Sequence, residues 1–232
     1  MSDKVQSPPR SIGTHNESSL HRSLKFQYSG AGKTETLAGA YVCDACTSDG
    51  ELIEVQTSSF GPLKKKVRAL CEEHRLRIIH PIILHTYIEL YNLDGTLMHR
   101  RRSPKKGKTW DLFRALIYAP ELPALENLRI ELPHVEVTER RINDGKGSWR
   151  RKGVRIQDRV LETWSHSLIL GGLEDYLQFI PFKKKEAFTA LDLSEKAGID
   201  RDLAQKTLYT LTKMGLIKNT GKQGRSFLYK RT

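Results

Sequence analysis

No stretch of this sequence approaches the ~18 consecutive apolar residues that a membrane-spanning helix requires, and the polar opening, Met1 to Arg10, lacks the apolar centre of a secretion signal. Cysteine is scarce. Three residues, an odd number without a secretory address, argue against a disulfide framework and lead us to expect a reducing, cytoplasmic setting. Acidic side chains are also in short supply, 27 against 39 lysines and arginines, a difference of +12. That excess favours a polyanionic partner, most often nucleic acid. A hydrophobic content of 38% excludes wholesale disorder, and 232 residues suffice for one large domain or two small ones.

What is present reads as an α/β chain followed by a smaller unit. Residues 1–13 are rich in Ser and Pro and are expected to be loose. Helix signals at Thr14 and Asn16 precede an apolar stripe at Leu20, Leu24 and Tyr28, which ends at Ser29-Gly30-Ala31-Gly32. Ala40–Thr47 and Glu51–Ser58 read as strands around Ser48-Asp49-Gly50. Gly61-Pro62 opens a helix over Leu63–His74 with a buried stripe of Leu63, Val67, Leu70 and Cys71. Arg77–Ile83 is then expected as one buried strand, and strand–helix–strand implies a parallel crossover in a mixed sheet. Thr86–Tyr91 and Thr96–Arg101 flank Asp94-Gly95 as a hairpin, Thr109 is placed to cap a helix through Tyr118, and Leu128–Thr138 and Val154–Ile156 offer further strands.

The last fifty residues have a different pattern. A short helix over Thr189–Ala197, a longer one from Asp200 to Met214 and two strands, Leu216–Asn219 and Ser226–Lys230, resemble a winged helix-turn-helix. The division between units is expected between Trp164 and Phe182, with 14–165 in the first and 175–232 in the second.

The sharpest chemistry lies between Glu17 and Glu54. Glu17 falls on the same helical stripe as Leu20, Leu24 and Tyr28, where a carboxylate either complements the helix dipole or meets a cation. Asp44, followed by Glu54-Val55-Gln56, resembles the motif of the PD-(D/E)XK nuclease superfamily, and the order of elements over residues 14–83 resembles its αβββαβ core. The resemblance implies a restriction-endonuclease-like fold and a Mg²⁺- or Mn²⁺-dependent deoxyribonuclease. In it, Asp44 and Glu54 would hold the metal through hard carboxylate oxygens, Gln56 would orient phosphate or water, and Glu17 would act through a metal-bound water. Gln56 stands where the superfamily usually carries lysine, so a cation is sought on the following helix, among Lys64, Lys65 and Lys66, with Lys66 the first choice; the plain alternative is a solvated lysine face. A three-residue turn at Ser48-Asp49-Gly50 would set Asp44 opposite Glu54, with Ile53 and Val55 buried beneath the helix Leu63–His74.

Cys43-x-x-Cys46 with Cys71-x-x-His74 has the spacing of a structural Zn²⁺ site, but strand parity would send Cys43 and Cys46 to opposite faces, which argues for buried thiols instead. Two basic clusters are candidate phosphate contacts. One holds Arg100, Arg101, Arg102, Lys105, Lys106 and Lys108; the other holds Trp149, Arg150, Arg151 and Lys152. In the winged unit, Arg201, Gln205, Lys206 and Lys213 are candidates for the major groove, and Lys222 and Arg225 for the wing. The expected partner is double-stranded DNA, with a homodimer left open. A non-catalytic DNA-binding protein or regulator is the reading from a different class.

Overall fold

The computed structural model describes residues 18–30 and 32–232. Glu17, the cap signals at Thr14 and Asn16 and the loose segment 1–13 lie outside the described residues. Helix α1 (Ser19–Ser29) is capped by Ser18, whose hydroxyl accepts from the His21 N–H, and it buries Leu20 and Leu24. Strand β1 (Lys33–Ala38), an exposed edge strand of mostly polar residues, follows. It pairs antiparallel with β2 (Tyr41–Cys46), which pairs antiparallel with β3 (Leu52–Val55). Between β2 and β3 the Thr47 N–H donates to the Glu51 carbonyl at 2.9 Å, and Gly50 takes a left-handed φ of 84°. The turn is therefore Ser48-Asp49-Gly50. The register Ala45↔Ile53 and Cys46↔Leu52 carries Asp44 opposite Glu54.

Pro62 sits in the first turn of a short 3-10 segment that feeds α2 (Lys64–Cys71), and β4 (Leu76–Ile79) returns parallel to β3. The run RIIHPII is not one strand: the ladder breaks at His80-Pro81, where proline has no N–H to donate, and resumes as β5 (Ile82–Tyr91). On the far side of β5 lies β6 (Leu97–Arg102). Strands β4 and β5 pair successive lengths of β7 (Leu128–Asn143), whose other edge carries β8 (Val154–Leu170). Away from β7, therefore, β4 is flanked by β3 and β5 by β6. The sheet thus forks at the proline. Strands β7 and β8 extend well beyond the expected Leu128–Thr138 and Val154–Ile156, with three register shifts along their pairing. The expected helix from Thr109 shortens to a 3-10 turn and α3 (Leu112–Leu116), capped by the Asp111 carboxylate on the Lys108 N–H.

Apolar side chains fill two layers. Leu20 and Leu24 of α1 cover Ala45, Ile53, Val55, Ile79, Val135 and Val137. Ile53 and Val55 therefore lie beneath α1, not beneath α2 as the alternation suggested. Both faces of β3 are buried, so its pattern does not reveal which helix covers which face. On the other side, α2 and α3 pack over Leu52, Leu76, Ile78, Leu128, Ile130 and Leu132. This second layer continues without a break into the C-terminal unit.

That unit contains α4 (Ala190–Ala197), α5 (Arg201–Lys213) and the hairpin β9 (Ile217–Gln223) and β10 (Ser226–Arg231). Thr189 and Asp192 form a reciprocal capping box on α4, and Asp200 caps α5 through the Leu203 N–H. The first unit runs to Leu170, so a boundary at 165 falls inside β8 and is moved to its end. Phe188, Leu193, Leu203, Leu208 and Leu211 share one core with Phe113 and Phe179, and Arg114 pairs with both Asp200 and Asp202. Among the described residues, no helix is long and apolar enough to cross a membrane.

A shared core makes unfolding cooperative across both units. Leu208→Ala is expected to cost about 2–5 kcal/mol and to shift one single denaturation transition followed by circular dichroism. Two separated transitions, only one of them moved by the substitution, would contradict the continuous core.

Candidate active site and basic surfaces

The ladder between β2 and β3 stops at Ala45↔Ile53. Beyond it the Val55 N–H, which would otherwise bond across to β2, donates to Asp44 Oδ2 at 2.8 Å. Strand β1 skips the pairing at this level, from Thr34↔Ala45 to Thr36↔Cys43, and Glu35 takes a left-handed φ of 53°, strained for a residue with a side chain. Asp44 therefore sits where three strands part. His21 Nε2 lies 3.4 Å from Asp44 Oδ2 and 3.0 Å from the Val55 carbonyl; Lys25 Nζ lies 3.9 Å from Asp44 Oδ1 and 3.1 Å from Glu35 Oε1.

Glu54, buried, pairs with Lys66 Nζ, which also donates to the Val42 carbonyl at 2.7 Å. The two carboxyls are pushed in opposite directions. Burial raises both; for Asp44 the hydrogen bonds from His21 and the Val55 N–H, with the charge of Lys25, outweigh burial and hold it below the ordinary aspartate range. For Glu54, burial and the negative charge of Asp44 outweigh Lys66, and its carboxyl is raised. The result is two carboxylates on neighbouring strands that sense each other's charge, Asp44 met by cations of α1 and Glu54 by a cation of α2. Among the described residues, no group of three or more His, Cys, Asp or Glu side chains gathers as a metal cluster.

Gln56 is not part of this arrangement. Strand β3 ends at Val55, and the Gln56 amide donates to the Ser59 carbonyl at 2.8 Å in the loop that follows. Lys64 pairs with Glu121 at 3.2 Å and Lys65 is exposed, so only Lys66 of the three lysines reaches a carboxylate of the pair. The parity expected of the cysteines also fails. Cys43 is buried with Cys71 in the layer under α2, and Cys46 borders that same layer, whereas Ala45 belongs to the layer under α1. Strand β2 turns over at Asp44. Burial pushes the Cys43 and Cys71 thiols up to about 11, which makes them unreactive near neutral pH. His21 and Lys25 escape the sequence reading; their only signal is spacing, one residue C-terminal to each of Leu20 and Leu24.

The basic residues divide by their freedom. Arg100 lies over the Tyr87 ring at 4.9 Å and within 3.7 Å of both Glu89 and Glu162. Arg101 and Arg102 on the edge strand β6 are exposed and, among the described residues, pair with no acid. Lys105 and Lys106 are exposed, but Lys108 Nζ is bound to the Gly198 carbonyl at the end of α4 and serves as a strut between units. Trp149 is 84% exposed at the tip of the β7–β8 hairpin, stacked by Arg150 at 5.5 Å, with Arg151 and Lys152 beside it. It covers no core. On α5 the outward stripe is Arg201, Gln205, Tyr209 and Lys213; Lys206 is tied to Asp202 at 2.5 Å. Tyr209 does not stand out in the sequence, although it falls four residues from both Gln205 and Lys213. In the hairpin, Lys222 lies 5.0 Å from the half-exposed Phe227 ring and Arg225 is at the exposed tip. Glu139 and Asp144 are charge partners, the first of Arg141 and Arg159, the second of Arg155.

The model of a family described as "Domain of unknown function (DUF8091)" matches residues 18–171, ending one residue past β8. An "Uncharacterized protein" of Treponema pallidum (strain Nichols) is 30% identical over 222 residues, covering 95% of this chain and 87% of its own. No solved structure matches.

Because the Asp44 carboxyl is held below its ordinary value, its bonds stabilise the fold above the unfolded aspartate pKa of about 3.9 and are lost as pH falls through the lower folded value. Asp44→Asn is expected to lower stability at neutral pH and to flatten the loss that sets in below about pH 4 in urea titrations. An acid limb as steep as in the unaltered protein would show that Asp44 does not carry this dependence.

Proposed function

We propose that this chain, which belongs to the DUF8091 family, is a divalent-metal-dependent DNA hydrolase whose C-terminal unit is a winged helix-turn-helix that places it on duplex DNA. The observation that carries the reading is the pair Asp44 and Glu54, one on β2 and one on β3 just past the point where the two strands stop pairing, with Lys66 on the second carboxylate. Further support comes from the order α1, β1, β2, β3, α2, β4, which is the αβββαβ arrangement of the PD-(D/E)XK superfamily. The extra strand β1 fills a place for which the sequence pattern offers no strand.

The donor set fits a hard cation. Asp44 and Glu54 would hold Mg²⁺ or Mn²⁺ through carboxylate oxygens, aided by the Val55 carbonyl beside them. Such an ion supplies activation of water and neutralisation of charge on the transferring phosphate. Lys66, not Gln56, provides the protein's own cation at Glu54 and orients that carboxylate. His21 and the Val55 N–H fix the Asp44 carboxylate in its ionised form. Arg201, Gln205, Tyr209 and Lys213 would read the major groove, with Lys222 and Arg225 on the wing contacting phosphate. Arg101, Arg102 and the Trp149 hairpin would follow the backbone. This reading puts the site of action beside chromosomal DNA in the cytoplasm.

A second reading, DNA binding without turnover, is favoured by one observation: Lys66, Lys25 and His21 already compensate the two carboxylates. Incubating supercoiled, linear and single-stranded DNA with the protein and Mg²⁺ or Mn²⁺, against an EDTA control, separates the two. Cleavage is expected with metal only. Asp44→Ala and Glu54→Ala should abolish it and Lys66→Ala should slow it by about 10²-fold or more, all with duplex binding retained. Binding without cleavage under every metal condition would leave the non-catalytic reading.

The salt dependence of duplex binding tests the surfaces separately. Each neutralised phosphate contributes about 0.9 to the slope of log K against log salt. Arg100 is already held by acids, so replacing Arg100, Arg101 and Arg102 together with alanine should reduce the slope by about 1.8, the share of two contacts. An unchanged slope would remove β6 from the interface.

A further inference from the structure

The fork in the sheet encloses a cavity of about 560 Å³, apart from the carboxylate pair. Its walls come from the loop after β3, the His80-Pro81 break, the start of β5, the basic loop after β6, α3, and the β7–β8 hairpin. We propose that this cavity binds a phosphate monoester, the terminal phosphate of a nucleic-acid strand or the phosphate of a nucleotide.

The charge around it is unbalanced in favour of an anion. Arg141 and Arg159, at 2.6 and 3.0 Å, share the single carboxylate of Glu139, and two guanidinium groups on one carboxylate leave one positive charge over. Their combined attraction holds the Glu139 carboxyl below its ordinary range although burial opposes this. Arg114, by contrast, is spent on Asp111, Asp200 and Asp202. Lys105 and Arg151 also line the cavity and, among the described residues, have no acid within ion-pair distance. They come from the two basic clusters, far apart in sequence, and meet here. Two unpaired cations suit a monoester, which carries a charge near −2 at neutral pH, better than a diester with one. Hydroxyls of Ser58, Ser59 and Ser103 supply uncharged donors.

The cavity is built in advance of a ligand. Gly107 packs so closely on β5 that a Cβ there would lie 2.0 Å from the Ile83 carbonyl, its N–H donates to the Leu84 carbonyl, and Lys108 anchors the same loop to Gly198. Lys105 is therefore held over the opening by a loop pinned at both units. The volume falls in the range of small-ligand pockets and suits one nucleotide. The position, beyond the carboxyl ends of parallel strands β3 and β4, is where open α/β sheets take ligands. This inference goes beyond the hydrolysis reading and needs none of Asp44, Glu54 or Lys66.

The test uses the full chain in EDTA, so no cleavage enters the readout. Binding is measured by fluorescence anisotropy for two short single-stranded oligodeoxynucleotides that differ only in a 5′-phosphate or a 5′-hydroxyl. Deoxyadenosine monophosphate and inorganic phosphate serve as competitors. The 5′-phosphorylated strand is expected to bind about tenfold more tightly, and Lys105→Ala and Arg151→Ala, both at exposed positions, are each expected to reduce that preference. Stronger competition by the monophosphate than by inorganic phosphate would assign the cavity to nucleotides in general; weak competition by both would assign it to strand ends. Equal affinity for the two oligonucleotides without competition by either small anion, or a preference that survives both substitutions, would overturn the proposal.

Discussion

Two carboxylates below the surface on neighbouring strands, Asp44 and Glu54, set the constraint from which much of this molecule follows. A buried carboxylate is costly unless its charge is met. Asp44 is met by a backbone N–H, His21 and Lys25; Glu54 is met by Lys66. Each partner depends on a different helix, so α1 and α2 are fixed relative to β2 and β3 by polar bonds as well as by their apolar stripes. The same requirement explains the backbone around Asp44. The ladder between β2 and β3 opens so that a side chain can take the Val55 N–H, and β1 steps past the gap with Glu35 in a strained conformation. Structure of this kind, in which regular pairing is given up to position charge, is where function is commonly found.

A second constraint is Pro81. Because it interrupts the strand beside β7, the sheet exchanges β3 for β6 as the neighbouring strand and leaves an opening between them. The basic loop after β6 and the hairpin β7–β8 close around that opening. The C-terminal unit is fastened through a common core, the Arg114 ion pairs and the Lys108 strut. The exposed stripe of α5, the tip of the β9–β10 hairpin and the exposed cations of β6 are therefore carried on one framework.

Much of this is legible in the sequence where local chemistry decides. Gly50 in a three-residue turn sets the register that opposes Asp44 and Glu54, and the caps at Thr189 and Asp200 mark α4 and α5 almost to the residue. Other features depend on tertiary context. Strand β1 has no buried alternation because it lies at the sheet edge. The register shifts in β7 and β8, two in the buried middle of β7 and one at Arg140-Arg141, break the two-residue period along the strands. Alternation assigns Ile53 and Val55 to the wrong helix because β3 is buried on both faces, and it makes Gln56 a site residue by carrying the strand three residues too far. The roll of β2 at Asp44, which brings Cys43 and Cys46 to one layer, leaves no trace in residue spacing.

The central claim, that Asp44 and Glu54 together hold a divalent cation, is open to direct observation by nuclear magnetic resonance. Substoichiometric Mn²⁺ added to the uniformly ¹⁵N-labelled full chain is expected to broaden the Val55 amide, whose proton is held by Asp44, together with its neighbours on β2 and β3. Excess Mg²⁺ should reverse the effect, and Glu54→Gln should weaken it. Broadening confined to other acidic residues, with the Val55 amide untouched, would contradict the account.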